Sequence, residues 1–165
     1  MAIRKTPVTK EKALERLAGL CARSEQCESE IFRKLFNWGI SGNDRKEIID
    51  YLKENRYLDD ARYARCYARD KARFSKWGPI KIKAELFKRK IQASFIREAI
   101  EEVEPSVWKD SLLNAARSKA ENLDFSGEEA YENRQKLFRY LISRGFPSSA
   151  SSKAVSFIIK HSNPD

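Results

Sequence analysis

Apolar and polar positions alternate along this chain with a helical period. Ile31, Leu35 and Phe36 are followed by Gly39-Ile40 and then by Ile48, Ile49 and Leu52. The spacing i, i+4, i+5 lays one apolar stripe on a helix, and i, i+1, i+4 lays another on the helix after the turn. The same frame returns 51 residues later as Ile82, Leu86, Phe87, then Lys90-Ile91, then Ala99, Ile100 and Val103. It returns 55 residues further on as Leu137, Leu141, Ile142, then Gly145-Phe146, then Ala154, Val155 and Ile158. Offsets of +4, +5, +9, +17, +18 and +21 are kept in every copy, which identifies an internal repeat. All of these apolar positions are expected to face a core. Gly39 and Gly145 supply a left-handed residue that ends the first helix of the pair. Lys90 stands at that place in the second copy, so its turn either differs or carries a small strain.

A further helix precedes each pair. It runs through Leu14, Leu17 and Cys21 in the first copy, and through Ala61, Ala64, Ala68 and Ala72 in the second. In the third it starts near Pro105 and runs through Ala116, Ala120 and Leu123. Asp59 or Asp60 caps the helix holding Ala61, and Pro79 and Pro105 suit first helical positions, where a missing N–H costs nothing. Strand signals are nearly absent. The fold class expected is all-α, with three tandem three-helix repeats at 1–56, 57–104 and 105–165. Units of about 50 residues are marginal alone, so neighbours should pack on one another.

Charge adds a location to this scheme. The chain of 165 residues has 33 Lys plus Arg against 24 Asp plus Glu, a net charge of +9. Apolar residues still reach 41%, so this is a folded protein with a heavily charged surface rather than a disordered tail. The segment from Arg62 to Lys90 holds eleven basic residues and only two acidic ones, Asp70 and Glu85, so it carries the net charge of the whole chain. At about 100° per residue, Arg62, Arg65, Arg69 and Arg73 fall within a sector of roughly 80°. Lys81 and Lys88 point away from the Ile82/Leu86/Phe87 face, and the turn Ser75-Lys76-Trp77-Gly78-Pro79 sets an aromatic ring beside the cations. Guanidinium forks grip phosphate or carboxylate with paired hydrogen bonds, so Arg62, Arg65, Arg69, Arg73, Lys76, Trp77, Lys81 and Lys88 form the candidate binding set. The alternative is a solvated face that keeps the protein soluble. Glu85 at helical spacing is expected to pair with Lys81 and Arg89.

Candidate chemistry is sparse. His161 is the single histidine, the six glycines form no phosphate loop, and Asp59-Asp60 reads as a helix cap rather than a metal pair. Trp38 reads as core packing, and Trp77 as either core or a stacking platform. No enzyme, cofactor or metal is expected. Cys21, Cys27 and Cys66 read as small buried hydrophobes of a reducing compartment. The start, Met1 to Lys10, has no apolar core of a secretory signal, and no run approaches the length of a membrane span. A cytoplasmic location without membrane association is expected, and a monomer, because no heptad seam is visible.

The segment Arg56-Tyr57-Leu58-Asp59-Asp60-Ala61-Arg62-Tyr63-Ala64, with Lys76-Trp77-Gly78-Pro79-Ile80-Lys81-Ile82-Lys83-Ala84-Glu85-Leu86, resembles the bacterial RecX family. Lys136-Leu137-Phe138-Arg139-Tyr140-Leu141-Ile142-Ser143-Arg144-Gly145-Phe146 is similar to the family's late helix and its Arg-Gly-aromatic turn. At Lys90-Ile91 the chain departs from the family's usual Lys-Gly-Ile. The resemblance implies a modulator, usually an inhibitor, of the RecA recombinase. It implies an elongated, curved array lying in the groove of the RecA–DNA filament, where it hinders extension, strand exchange and ATP hydrolysis and tempers the DNA-damage (SOS) response. The partners so implied are the RecA filament and DNA, touched directly or through the filament. A second reading is a direct DNA-binding protein, since three-helix units can present a helix to the major groove. That reading requires tight, steeply salt-dependent binding to naked DNA.

Overall fold

A computed structural model describes residues 8–162. The N-terminal stretch before Val8, read above for a secretion signal, lies outside them. Nine α-helices and no strands occur among the described residues: α1 (Lys10–Arg23), α2 (Glu28–Asn37), α3 (Gly42–Glu54), α4 (Asp60–Arg73), α5 (Pro79–Lys88), α6 (Ala93–Glu101), α7 (Pro105–Ala120), α8 (Ala130–Ser143) and α9 (Ser148–Ser162). None of them is long and apolar enough to cross a membrane.

Local chemistry sets the helix starts. Thr9, Ser41 and Asp59 sit in extended backbone and accept from the N–H of Lys12, Asp44 and Arg62, which satisfies donors that would otherwise be orphaned. Pro79 and Pro105 open α5 and α7. Asp60 does something the sequence did not suggest. Its Oδ1 accepts from the backbone N–H of Glu28 at 2.8 Å, so it caps α2 rather than its own helix. The third expected leading helix, α7, ends at Ala120, and Leu123 lies in the turn beyond it.

Three apolar clusters hold the helices. One is built on Leu17, Ile31, Leu35, Ile48 and Leu52, a second on Ala64, Ala68, Ala72, Ile82 and Leu86, and a third on Ala116, Leu137, Leu141 and Phe146. Full burial of a Leu or Ile is worth about 1.5–3 kcal/mol relative to exposure, so each buried Leu or Ile of the frame contributes on that scale. One frame position behaves otherwise. Phe36, Phe87 and Ile142, expected to face the core, are exposed by 62%, 72% and 40%. The residue after the +4 position is rotated by about 100°, and in all three copies that rotation carries it out of the contact.

The turns between the paired helices share one hydrogen-bond pattern. Ile40, Ile91 and Phe146 donate to the carbonyls of Leu35, Leu86 and Leu141, and Gly39, Lys90 and Gly145 donate to those of Phe36, Phe87 and Ile142. Lys90 therefore takes the same left-handed conformation as the two glycines, with φ of 59°. The turn does not differ; it is strained. A side chain in that region costs about 1–2 kcal/mol, part of which glycine returns through the entropy of the unfolded chain. Lys90→Gly is accordingly expected to stabilise the protein by about 0.5–1 kcal/mol. Denaturant unfolding checks this through a higher midpoint with an unchanged slope.

The clusters are joined by side chains that cross between them. Cys27, at the start of α2, is buried in the second cluster, and Trp108 of α7 packs against it. The Ser111 hydroxyl on α7, also buried, donates to the Ala72 carbonyl on α4. The loop before α5 docks on the loop before α9: Gly78 N–H donates to Arg144 O at 2.8 Å and Ile80 N–H to Gly145 O at 3.0 Å. Arg144 reciprocates with its guanidinium on the Ser75 and Lys76 carbonyls. These backbones touch because neither glycine carries a Cβ; one built on Gly78 would stand 2.3 Å from Gly145 O.

Candidate functional site

The eight candidate residues come from α4, the loop after it, and α5, and the fold separates them. On α4 the alanines Ala64, Ala68 and Ala72 are fully buried. Their small side chains let α5, α6 and α7 approach, and the flank about 100° around from them carries the arginines. Arg65, Arg69 and Arg73 line a small groove of about 170 Å³, whose other wall includes Glu102, Val103 and Val107. Arg65 is loosely paired with Glu102 at 3.8 Å, and Arg69 reaches its neighbour Asp70 at 3.3 Å. Arg73 is exposed and makes no ion pair among the described residues. Lys76 extends this edge, with φ of 53° and its ammonium on the Arg73 carbonyl.

Arg62 does not belong to this surface. Its Nε meets Glu25 Oε1 at 2.6 Å, and its guanidinium donates to the Arg56 and Tyr57 carbonyls. It fastens α4 to the loop before α2. That role was invisible in a helical wheel, because Glu25 lies 37 residues away.

Trp77 and Lys81 occupy the other flank of α4. The Trp77 ring is half-buried, and the ammonium groups of Lys81 and Lys71 stand 4.4 Å and 5.0 Å from its centroid. Both contacts are cation–π interactions, worth about 0.5–1 kcal/mol each at such sites. Lys71 projects roughly 160° around the helix from Arg69, so this cluster and the arginine groove face different ways. Trp77 packs against the second cluster rather than standing out as a platform.

Lys88 lies in a third place, an open cleft of about 750 Å³ between α2 and α5 that Glu28, Glu30, Glu85 and Arg89 also line. Glu85 pairs with Lys88 at 2.8 Å and with Arg89 at 3.1 Å, not with Lys81 as expected. Hydrogen bonds from Lys88 and Arg89 hold the Glu85 carboxyl below the usual carboxylate range. Arg89 is the centre of this cleft: it also pairs with Glu30 at 3.2 Å, lies 4.9 Å from the Tyr67 ring centroid, and its carbonyl accepts from the Ser29 hydroxyl at 2.6 Å. Arg89 stood outside the candidate set because it was expected to pair with Glu85, as it does; its contacts with Ser29 and Glu30, about 60 residues upstream, were not legible in the sequence.

The other residues singled out resolve simply. Asp59 caps α4 and Asp60 caps α2; burial pushes the Asp60 carboxyl up, and the Glu28 N–H that it accepts works against this. Among the described residues no group of three His, Cys, Asp or Glu could hold a metal ion. His161 is exposed on α9, with Nδ1 against the Phe157 carbonyl at 2.7 Å. Trp38 packs on the first cluster. Of the three thiols only Cys27 is buried, and burial raises its pKa; Cys21 and Cys66 are half-buried, against expectation.

This arrangement contains an arginine edge and interlocking helical units. Residues 59–100 match the family described as RecX, second three-helix domain. "Regulatory protein RecX" from Vibrio parahaemolyticus serotype O3:K6 is 30% identical over 149 residues, covering 90% of both chains. The protein of the same name from Clostridium botulinum (strain Eklund 17B / Type B) is 29% identical over 124 residues, covering 75% of this chain. The match spans 58% of that clostridial relative's length. A crystal structure of regulatory protein RecX superposes with a TM-score of 0.75 at 25% identity, covering 92% of this chain and 71% of the other. The shared three-helix organisation, the matched central domain and the near full-length Vibrio relative together lead to one conclusion: this chain belongs to the RecX family of regulatory proteins.

Proposed function

We propose that this protein binds the RecA filament on DNA and inhibits its recombinase and ATPase activities. The observation that carries the reading is the edge of Arg65, Arg69 and Arg73 on α4, three guanidinium groups with one loose inter-helix ion pair among them, in a member of a regulatory family. Such groups form charge-assisted hydrogen bonds to carboxylate or phosphate. The units 1–56, 57–104 and 105–165 act as a monomeric, elongated and curved array in the cytoplasm. An array of linked modules can follow a helical groove across more than one subunit of a polymer.

Binding of labelled protein to RecA–single-stranded DNA filaments, assembled with a non-hydrolysable ATP analogue, tests this against naked DNA. Saturable binding to the filament is expected, with naked DNA at least about tenfold weaker at physiological salt. Equal affinity for both, falling steeply with salt, would replace the filament by DNA as the partner.

A further inference from the structure

We propose that the groove between α7 and α9 is a docking site for an acidic, amphipathic helix of a partner protein. The groove has a volume of about 970 Å³; apart from Pro79 of α5 its lining comes from the third unit, and it shares no lining residue with the arginine groove. Trp108 and Leu112 of α7, four residues apart, line one side, and Ala150 and Ala154 of α9 line the other. The two alanines leave the space open. Ala150 holds the repeat register that Phe95 holds in the second unit, where the ring packs against the cluster. Phe157, 40% exposed, also lines the groove.

Charge around the groove selects the occupant. Lys109, Arg117 and Lys153 line it, all are exposed, and none makes an ion pair among the described residues. Asp110 is the one carboxylate in the lining. An apolar floor with a rim of three cations against one carboxylate fits a helix that carries large apolar residues on one face and carboxylates along its flanks. From Trp108 to Arg117 the α7 wall runs about 13 Å, which accommodates roughly two and a half helical turns. The protein's own N-terminal stretch is a poor occupant, since Arg4 and Lys5 give it the same sign as the rim.

The test uses fluorescence anisotropy with a labelled synthetic helix of three turns bearing a Leu/Phe stripe flanked by glutamates. Two companion peptides carry lysines for the glutamates, or serines for the apolar stripe. Saturable binding of the first peptide is expected, weakened at least tenfold in each companion. The full chain with K109E, R117E and K153E should prefer the lysine peptide, and Ala150→Trp, which fills the space, should bind neither. No saturable binding, equal binding of the glutamate and serine peptides, or indifference to the rim reversal would overturn the proposal. So would a dimer in sedimentation that Ala150→Trp dissociates, which would give the groove to a second copy. A threefold or greater gain in peptide affinity on deleting residues 1–7 would give it to the chain itself and overturn it equally.

Discussion

Reversing Arg65, Arg69 and Arg73 to glutamate together is expected to weaken binding to the RecA filament by at least about a hundredfold while leaving the helical content unchanged. Hydrogen bonds to charged groups are worth about 1.5–3 kcal/mol each, and about 2.7 kcal/mol already corresponds to a hundredfold. The fold should tolerate the change, because the three side chains stand on a flank of α4 about 100° from its buried alanines and their ion pairs are long or local. Arg62→Glu should behave differently. Its guanidinium holds Glu25 and two backbone carbonyls, so its reversal should cost about 1–3 kcal/mol of stability. Filament co-sedimentation and thermal unfolding of the two variants separate these effects. Undiminished binding of the triple variant would remove the arginine edge from the account.

Gly78→Ala is expected to be among the most damaging single-methyl changes in the protein. The added Cβ would stand 2.3 Å from Gly145 O and 2.5 Å from Phe146 N, and backbone atoms cannot move aside as a flexible side chain can. The joint it disturbs holds two backbone hydrogen bonds and the Arg144 guanidinium contacts. Overpacking costs about 1–3 kcal/mol, and this case should reach the upper end, a fall in Tm of about 6–12 °C. Gly145→Ala meets the same obstacle at Lys81 and adds the strain of a φ of 91°. Gly19→Ala is the control: it lies within α1 with nothing inside 4 Å of the new Cβ, and should raise stability by about 0.5–1 kcal/mol. Hydrogen exchange should show α8 and α9 losing protection first in Gly78→Ala while α1 to α3 keep theirs. A Tm within 1 °C of the parent would contradict the joint.

The helices were legible in the sequence because their cause is local. The frame positions at +0, +4, +9, +17 and +21 recur as apolar residues, and the clusters are built on them: Leu35, Leu86 and Leu141 are all fully buried. Capping by Asp59 and the prolines at 79 and 105 were equally readable. The exposed Phe36, Phe87 and Ile142 misled because apolar identity at adjacent positions does not say which of them faces the core. The site was legible only as a region. A helical wheel places Arg62 with Arg65, Arg69 and Arg73, and nothing local reveals that Glu25 removes it. Lys88 is different: Glu85, three residues before it, draws it into the cleft, a pair that helical spacing allows, and Trp77 packs near Lys71 and Lys81. Joints between units depend on pairs such as Asp60 with Glu28 or Gly78 with Arg144, whose chemistry is ordinary and whose separation in the chain is long.

The most direct measurement of the central claim is RecA's DNA-dependent ATP hydrolysis as this protein is titrated from well below one molecule per recombinase subunit. A regulator that acts on the polymer should lower the rate at substoichiometric amounts, and the Arg65/Arg69/Arg73 reversal should need far more protein for the same effect. An unchanged rate up to saturating protein, alongside tight binding to DNA alone, would contradict filament regulation and leave a DNA-binding protein in its place.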